Sequence, residues 1–353
     1  MILFASATLG PGVMLIAAAI WGGLWPLAAL IWITLLTAGL DALIARTPDA
    51  REGQEFPAAD PLSILLALLH FAVLPLAVIA IAQGVTLSGE PLSPLRRIAF
   101  FFAAGLWFGQ VSNSNAHELI HRGKSHLYLL GMWVYISLCY GQHVSAHRLV
   151  HHRYVGLPKD PNTARRGESF YRFAARAWPA ELIAGLRAET KLRQGRGWHP
   201  YRSYALGTLG FLALAYALAG VSGVLVWLGL GAYATVQLLL SDYVQHYGLA
   251  RPETAGRPAP VSAALSWNSP HWFSSGLMLN APRHSDHHQH PSRPYPNLRL
   301  APEGPEPMLP AALPVMATLA LFPRQFKRMM HPRLDALQRA QSEPSSPQIA
   351  DEV

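Results

Sequence analysis

The sequence predicts an all-α integral membrane protein of about six transmembrane helices, with a histidine-rich region gathered on one side. Three observations predict it. Of the 353 residues, 51% are hydrophobic and only 14% are charged, where soluble domains carry roughly a quarter; mean hydropathy is +0.20. The apolar residues form long blocks, several able to cross a hydrocarbon layer about 30 Å thick. Of the 28 Lys and Arg residues, 26 fall at one end of those blocks.

The spans lie near 10–25, 26–44, 61–83, 95–116, 203–219 and 223–245. Pro26 makes the first two a tight hairpin, or one poorly divided block. The first 25 residues hold no Lys or Arg, so they lack the basic start of a cleaved signal peptide and read as the first span. Residues 127–141 (LYLLGMWVYISLCYG) are apolar but too short to leave the membrane and return. A single crossing there would put the flanking histidines on opposite faces, so the stretch reads as a re-entrant or interfacial helix. Residues 1–335 form one domain, and 336–353, rich in Ser, Pro and charge, read as a disordered tail.

Charge fixes the expected orientation, because cationic residues gather on the cytoplasmic side. Twelve Lys or Arg lie in 148–202 and ten after 246, joined by Arg46, Arg51, Arg122 and Lys124. Only Arg96 and Arg97 lie at the other end of a span, and 84–94 hold none. Both termini and the histidines are then cytoplasmic, in a multi-pass membrane protein. The net charge of +8 has this origin, and no nucleic-acid partner is needed. A single cysteine, Cys139, excludes internal disulfides and multi-thiolate metal sites.

Sixteen histidines are present, and their spacing matters more than their number. His117 and His121 stand four apart in NAHELIHR; His147 and His151 repeat the spacing in SAHRLVHHR, with His152 adjacent; His284 and His288 repeat it in PRHSDHH, with His287 between. Residues four apart share a helix face, so each pair is placed to converge on one metal. Eight imidazoles left unpaired beside hydrocarbon would be costly. They exceed the four ligands of one tetrahedral zinc and suit two ions with four or five ligands each. Imidazole serves iron, copper, zinc and nickel alike, so spacing alone does not choose the metal.

The segments HELIHR, HRLVHHRYVGLPKDPNTARRGESFYRF, DYVQHYGL and RHSDHHQHPSRPYPNLR resemble, in order and over about 113–300, the bacterial membrane alkane hydroxylases. These belong to the membrane fatty acid desaturase and hydroxylase superfamily. The resemblance implies a cytoplasmic di-iron domain whose ligands are His117, His121, His147, His151, His152, His246, His284, His287 and His288. It implies O2-dependent hydroxylation of a terminal C–H of a medium- or long-chain alkane or alkyl group to a primary alcohol. Electrons would come from an external rubredoxin or ferredoxin with its NAD(P)H-dependent reductase. His126, His143, His271 and His290 match no family ligand and read as supporting or surface groups; His70, His199 and His331 read as bystanders. Glu118, Asp160, Glu168, Asp242 and Asp286 are placed to orient ligand imidazoles by accepting their second N–H. Asp160 in PKDP also reads as a turn residue, and Glu168 in RRGES as a helix-start charge. The chain departs from the family at Ala146, where Glu is usual, at Asp242 and Gln245 in the HYG motif, and at Val150, where a small residue is usual.

A hydrocarbon would enter from the bilayer through a tunnel lined by residues such as Trp32, Phe71, Phe101 and Trp107. The basic surface of Arg165, Arg166, Arg172, Arg176, Arg193 and Arg196 suits an acidic electron carrier, or equally lipid headgroups. Related readings are a desaturase or an oxygenase of aromatic methyl, terpenoid or fatty acyl substrates. A different class is a membrane zinc protease, since His117-Glu118-x-x-His121 matches HExxH, which leaves most of the histidines unexplained. A metal transporter would place its ligands near the bilayer midplane, unlike these.

Overall fold

The computed structural model describes residues 1–44, 54–254, 257–300 and 306–342. Arg46, Arg51 and residues 343–353 of the expected tail lie outside the described residues.

Helix α1 (Ile2–Trp21) turns into α2 (Trp25–Ile31) through Gly22 and Gly23, at φ 65° and 57°, a backbone that glycine adopts without strain. Pro26 sits in the first turn of α2, where its missing N–H is no loss. The first helix thus begins and ends earlier than the apolar block suggested. A π-helical turn (Trp32–Leu36) carries α2 into α3 (Thr37–Leu43), and α4 (Ala59–Gln83) follows. Helix α5 (Pro94–Trp107), capped by Ser93, runs through a second π-helical turn (Phe108–Ser112) into α6 (Asn113–Ile120).

Helix α7 (Ser125–Ser137) has 13 residues, about 20 Å of helix and short of a full crossing; it packs on α6, α4 and α11. A third π-helical turn (His147–His151) joins α8 (His143–Ala146) to α9 (His152–Tyr154). Helix α10 (Phe170–Arg193) precedes α11 (Pro200–Gln245), whose backbone breaks at Ala219 and Gly220. This break falls between the apolar stretches 203–219 and 223–245. A short antiparallel pair, β1 (Glu253–Thr254) with β2 (Arg257–Pro258), precedes α12 (Trp272–Leu277), α13 (His284–Gln289), α14 (Leu313–Ala320) and α15 (Pro323–Ser342). Helix α15 continues through 336–342, past the point where the composition turns tail-like, because Phe326, Met330 and Leu334 bury a stripe of it against α10 and α11 residues.

Among the described residues, four helices are long and apolar enough to cross a membrane: Ile2–Trp21, Trp25–Leu43, Ala59–Gln83 and the broken Pro200–Gln245. Leu27, Leu35, Leu65, Leu68, Leu209 and Leu225 are exposed on them, an outer surface that lipid solvates and water would not. One core joins α1, α2, α4, α5 and α11; a second, of α10, α14, α15 and the end of α11, lies beside the histidines. His70, expected as a bystander, is a buried crosspiece: Nδ1 meets Ser112 Oγ at 3.0 Å and Nε2 meets Ser137 Oγ at 2.7 Å, linking α4 to the second π-helical turn and to α7.

Candidate metal centre

Four separate parts of the chain deliver imidazoles to one place. Helix α6 ends on His117 and His121, the third π-helical turn and α9 carry His147, His151 and His152, His246 follows the end of α11, and α13 carries His284, His287 and His288. All nine expected histidines meet there, in two groups. One is His117, His121, His147, His152 and His287; the other is His151, His246, His284 and His288; within each, ligand nitrogens lie within 4.8 Å of one another. The groups adjoin, with the rings of His152 and His288 4.6 Å apart.

The expected pairing of His147 with His151 does not hold. In a π-helical turn the backbone bonds from i to i+5, which brings residues five apart together. His147 therefore joins His152, with their Nε2 atoms 2.9 Å apart, while His151 turns to the other group. The pairs on α-helical turns, His117 with His121 and His284 with His288, stay together as expected.

The nitrogens face inward with too few protons to satisfy them. His284 Nε2 lies 3.1 Å from both His246 Nε2 and His288 Nε2, and His287 Nε2 lies 3.1 Å from His152 Nε2. A neutral imidazole has one N–H, and His246 Nδ1 faces the Leu265 carbonyl at 3.0 Å, so donating there leaves its Nε2 as a bare lone pair. His151 Nε2 and His121 Nε2 are buried without a hydrogen-bond partner. Burial first, then the neighbouring imidazoles, holds His147, His152, His284, His287 and His288 well below the ordinary histidine range, so they are neutral. Convergent imidazole nitrogens, short of protons and in these five residues neutral, are what a pair of imidazole-binding cations requires, and the residues fit.

The carboxylates divide. Asp160 Oδ2 meets His151 Nδ1 at 2.9 Å, also accepting from Thr163 Oγ1, while Oδ1 takes the Asn162 amide. Burial pulls His151 down, but the facing Asp160 outweighs it and sets the histidine at about 9. Asp242 lines the adjoining cavity and accepts from Asn162 Nδ2 at 2.8 Å. The other three meet arginines instead of ligand imidazoles. Glu118 takes Arg122 at 2.8 Å and the Tyr295 amide; Glu168 is clamped by Arg176; Asp286 binds Arg293, His290 and the Arg299 amide. Glu118 is thus committed to a salt bridge and poorly placed as the base of an HExxH protease.

Sequence reasoning missed Glu181. From α10 it meets His143 Nδ1 at 2.6 Å and takes the Tyr140 hydroxyl, all buried. A lone Glu in AWPAELIA carried no signal of this. Ala146 made room for it: a Cβ on Gly185 of the same helix would come within 3.1 Å of Ala146, so α10 packs directly on α8.

A cavity of about 420 Å³ reaches these groups, with His117, His143, His147 and His284 in its wall. Its sides come from four helical stretches, with Thr34, Thr37 and Asp41 on one, Leu106, Gln110, Asn113 and Ser114 on the second, Tyr233, Gln237 and Ser241 on the third, and Leu313, Val315 and Thr318 on the fourth. The aromatics expected to line a tunnel do not. Trp107 donates its indole N–H to the Thr8 carbonyl, Phe71 stacks on Phe211, Phe101 stacks on Tyr233, and Trp32 lies over Gly10. These four rings fill helix interfaces, and apart from Tyr135 and Tyr233 and the histidines smaller side chains border the space.

Known proteins place this architecture. The family model described as fatty acid desaturase matches residues 93–319. The alkane 1-monooxygenase of Ectopseudomonas oleovorans is 30% identical over 89% of this chain and 79% of its own length. Alkane 1-monooxygenase 1 of Pseudomonas aeruginosa is 29% identical over 88% and 84%. The xylene/toluene monooxygenase hydroxylase component of Pseudomonas putida is 25% identical over 94% and 88%. The resemblance expected over about 113–300 is met by a family match over 93–319 and relatives aligned over most of the chain: the chain belongs to the fatty acid desaturase family and, within it, to the alkane 1-monooxygenases, a group of oxidoreductases.

Proposed function

We propose that the two histidine groups hold two iron ions and that the protein uses O2 to hydroxylate the terminal C–H of an alkane or alkyl group to a primary alcohol. The observation that supports this most is the meeting of nine imidazoles in two adjoining groups on the wall of a mainly hydrocarbon-bordered cavity. His117, His121, His147, His152 and His287 would hold one ion, and His151, His246, His284 and His288 the other. Bound iron supplies the activation of O2 and the cleavage of an unreactive C–H bond.

The chain's own residues do the rest. Asp160 fixes the tautomer and angle of His151, and the Leu265 carbonyl does so for His246. The mainly apolar cavity wall would hold the substrate chain beside the histidines. Leu35 and Val315 line the cavity and are also exposed on the outer surface, which suits sideways entry of substrate from the bilayer. Six crossings, with α5 to α6 and the two halves of α11 among them, would put the centre on the cytoplasmic face of the inner membrane.

Two electrons per turnover then come from a rubredoxin or ferredoxin with an NAD(P)H-dependent reductase. Of the six arginines expected to receive it, Arg176 and Arg193 hold Glu168 and Glu189, and Arg166 holds Asp335. Arg165, Arg172 and Arg196 are exposed and are the better docking candidates. The test is turnover of the iron-loaded protein with such carriers, offering medium-chain alkanes and xylenes. Terminal alcohols from alkanes are expected. Alkenes would support the desaturase reading, benzylic alcohols alone the aromatic one, and no product from either substrate would end the proposal.

A further inference from the structure

The cavity wall contains polar atoms that a pure alkane would leave stranded. Gln110 Oε1, Gln237 Oε1 and Asp41 Oδ2 are all buried, all without a hydrogen-bond partner, and all on residues lining this one cavity. Asp41 is 4% exposed, and its other oxygen caps α12 by accepting the Phe273 and Ser274 amides. Gln237 Nε2 donates to the Gly105 and Tyr233 carbonyls at 2.8 and 3.3 Å. That fixes the amide and leaves Oε1 as the free acceptor.

The amide has a built seat. It lies across Gly109, where an added Cβ would sit 2.2 Å from it and 2.4 Å from Oε1. Gln110 is the next residue, on the π-helical turn facing α11. Two acceptors, one from this turn and one from α11, thus line the same cavity, each free of any donor. A buried polar group left unmade is costly, whereas one met by a substrate hydroxyl discriminates against the analogue that lacks it. Gln110 precedes His117 by seven residues, about 10 Å along the helix, so the two ends of an extended chain would face different chemistry.

We propose that the preferred substrates are hydrocarbon chains carrying a hydrogen-bond donor, such as a hydroxyl, at the end remote from oxidation. The Gln110–Gln237 pair holds that end while the far methyl reaches the histidines. This rests on the hydroxylase reading above and narrows its substrate class; the product from such an alcohol is a diol.

The experiment uses the full chain in lipid nanodiscs with n-octane and n-nonanol, whose products differ. In competition turnover, wild type is expected to favour nonanol by about tenfold or more in kcat/KM, and Gln110→Leu and Gly109→Ala to bring the ratio toward unity. A metal-free binding arm reads the same preference without chemistry. Nonanol should raise the wild-type melting temperature more than octane does, and Gln110→Leu should abolish the difference. Equal or greater preference for octane, or a ratio and a melting difference unmoved by Gln110→Leu, overturns the proposal. If neither compound is oxidised, the hydroxylase reading falls, while the melting comparison still decides the polar-end proposal.

Discussion

Replacing Asp160 by Asn removes one charge from the centre and almost no volume. The carboxylate is buried and makes three contacts, to His151 Nδ1 at 2.9 Å, Thr163 Oγ1 at 2.7 Å and the Asn162 amide at 3.0 Å. An amide oxygen can keep at most part of that set, and its bond to His151 becomes neutral. Hydrogen bonds to charged groups contribute about 1.5–3 kcal/mol against about 1 for neutral ones, a difference of roughly tenfold in an equilibrium constant. Losing a carboxylate behind a metal-bound histidine costs about 10- to 100-fold in metal affinity, in the same range. Chelator titration of the iron-loaded protein should therefore shift by at least about tenfold, with the fold intact by circular dichroism.

A second readout follows from the sign of the His151 shift. In metal-free protein Asp160 keeps that histidine protonated up to about 9, so metal must displace a proton at neutral pH. Loading should release acid and strengthen as pH rises toward 9; Asp160→Asn should weaken this dependence. The ion pair itself stabilises the metal-free fold below the free-histidine value and is lost as pH rises through about 9. Unchanged chelator resistance together with an unchanged pH profile would refute the positioning role.

Other outcomes are as specific. Glu181→Leu strands the buried His143 and Tyr140 polar groups and should cost about 3 kcal/mol, read as a lower denaturation midpoint. His70→Ala removes both serine links and should cost about 1–3 kcal/mol while iron content stays at the wild-type level. Arg165→Glu with Arg172→Glu should slow turnover with an acidic carrier and flatten its salt dependence, leaving turnover with a small chemical reductant unaltered.

The sequence carried the centre well because metal ligation is a matter of residue type and spacing. Nine histidines in short clusters at the ends of apolar blocks leave few other uses, and all nine meet. Their partition was not legible. It depends on the π-helical turn at His147–His151, and nothing in HRLVH distinguishes that turn from an α-helical one. Asp160 was legible because the chain brings it nine residues after His151. Glu181 was not, because its partnership crosses to another helix and depends on the close packing of Gly185 on Ala146. The cavity was misassigned for a related reason. Aromatic residues mark membrane-helix interfaces in a sequence, but Trp107 is held by the Thr8 carbonyl and Phe71 stacks on Phe211, and the open space is bordered by Thr, Gln and Leu among others.

Metal analysis of the purified full chain, by elemental counting and Mössbauer spectroscopy, tests the central claim most directly. The account predicts two irons per chain, with His117→Ala and His284→Ala each disturbing the group to which its histidine belongs. A single zinc per chain, or iron content indifferent to both substitutions, would contradict it.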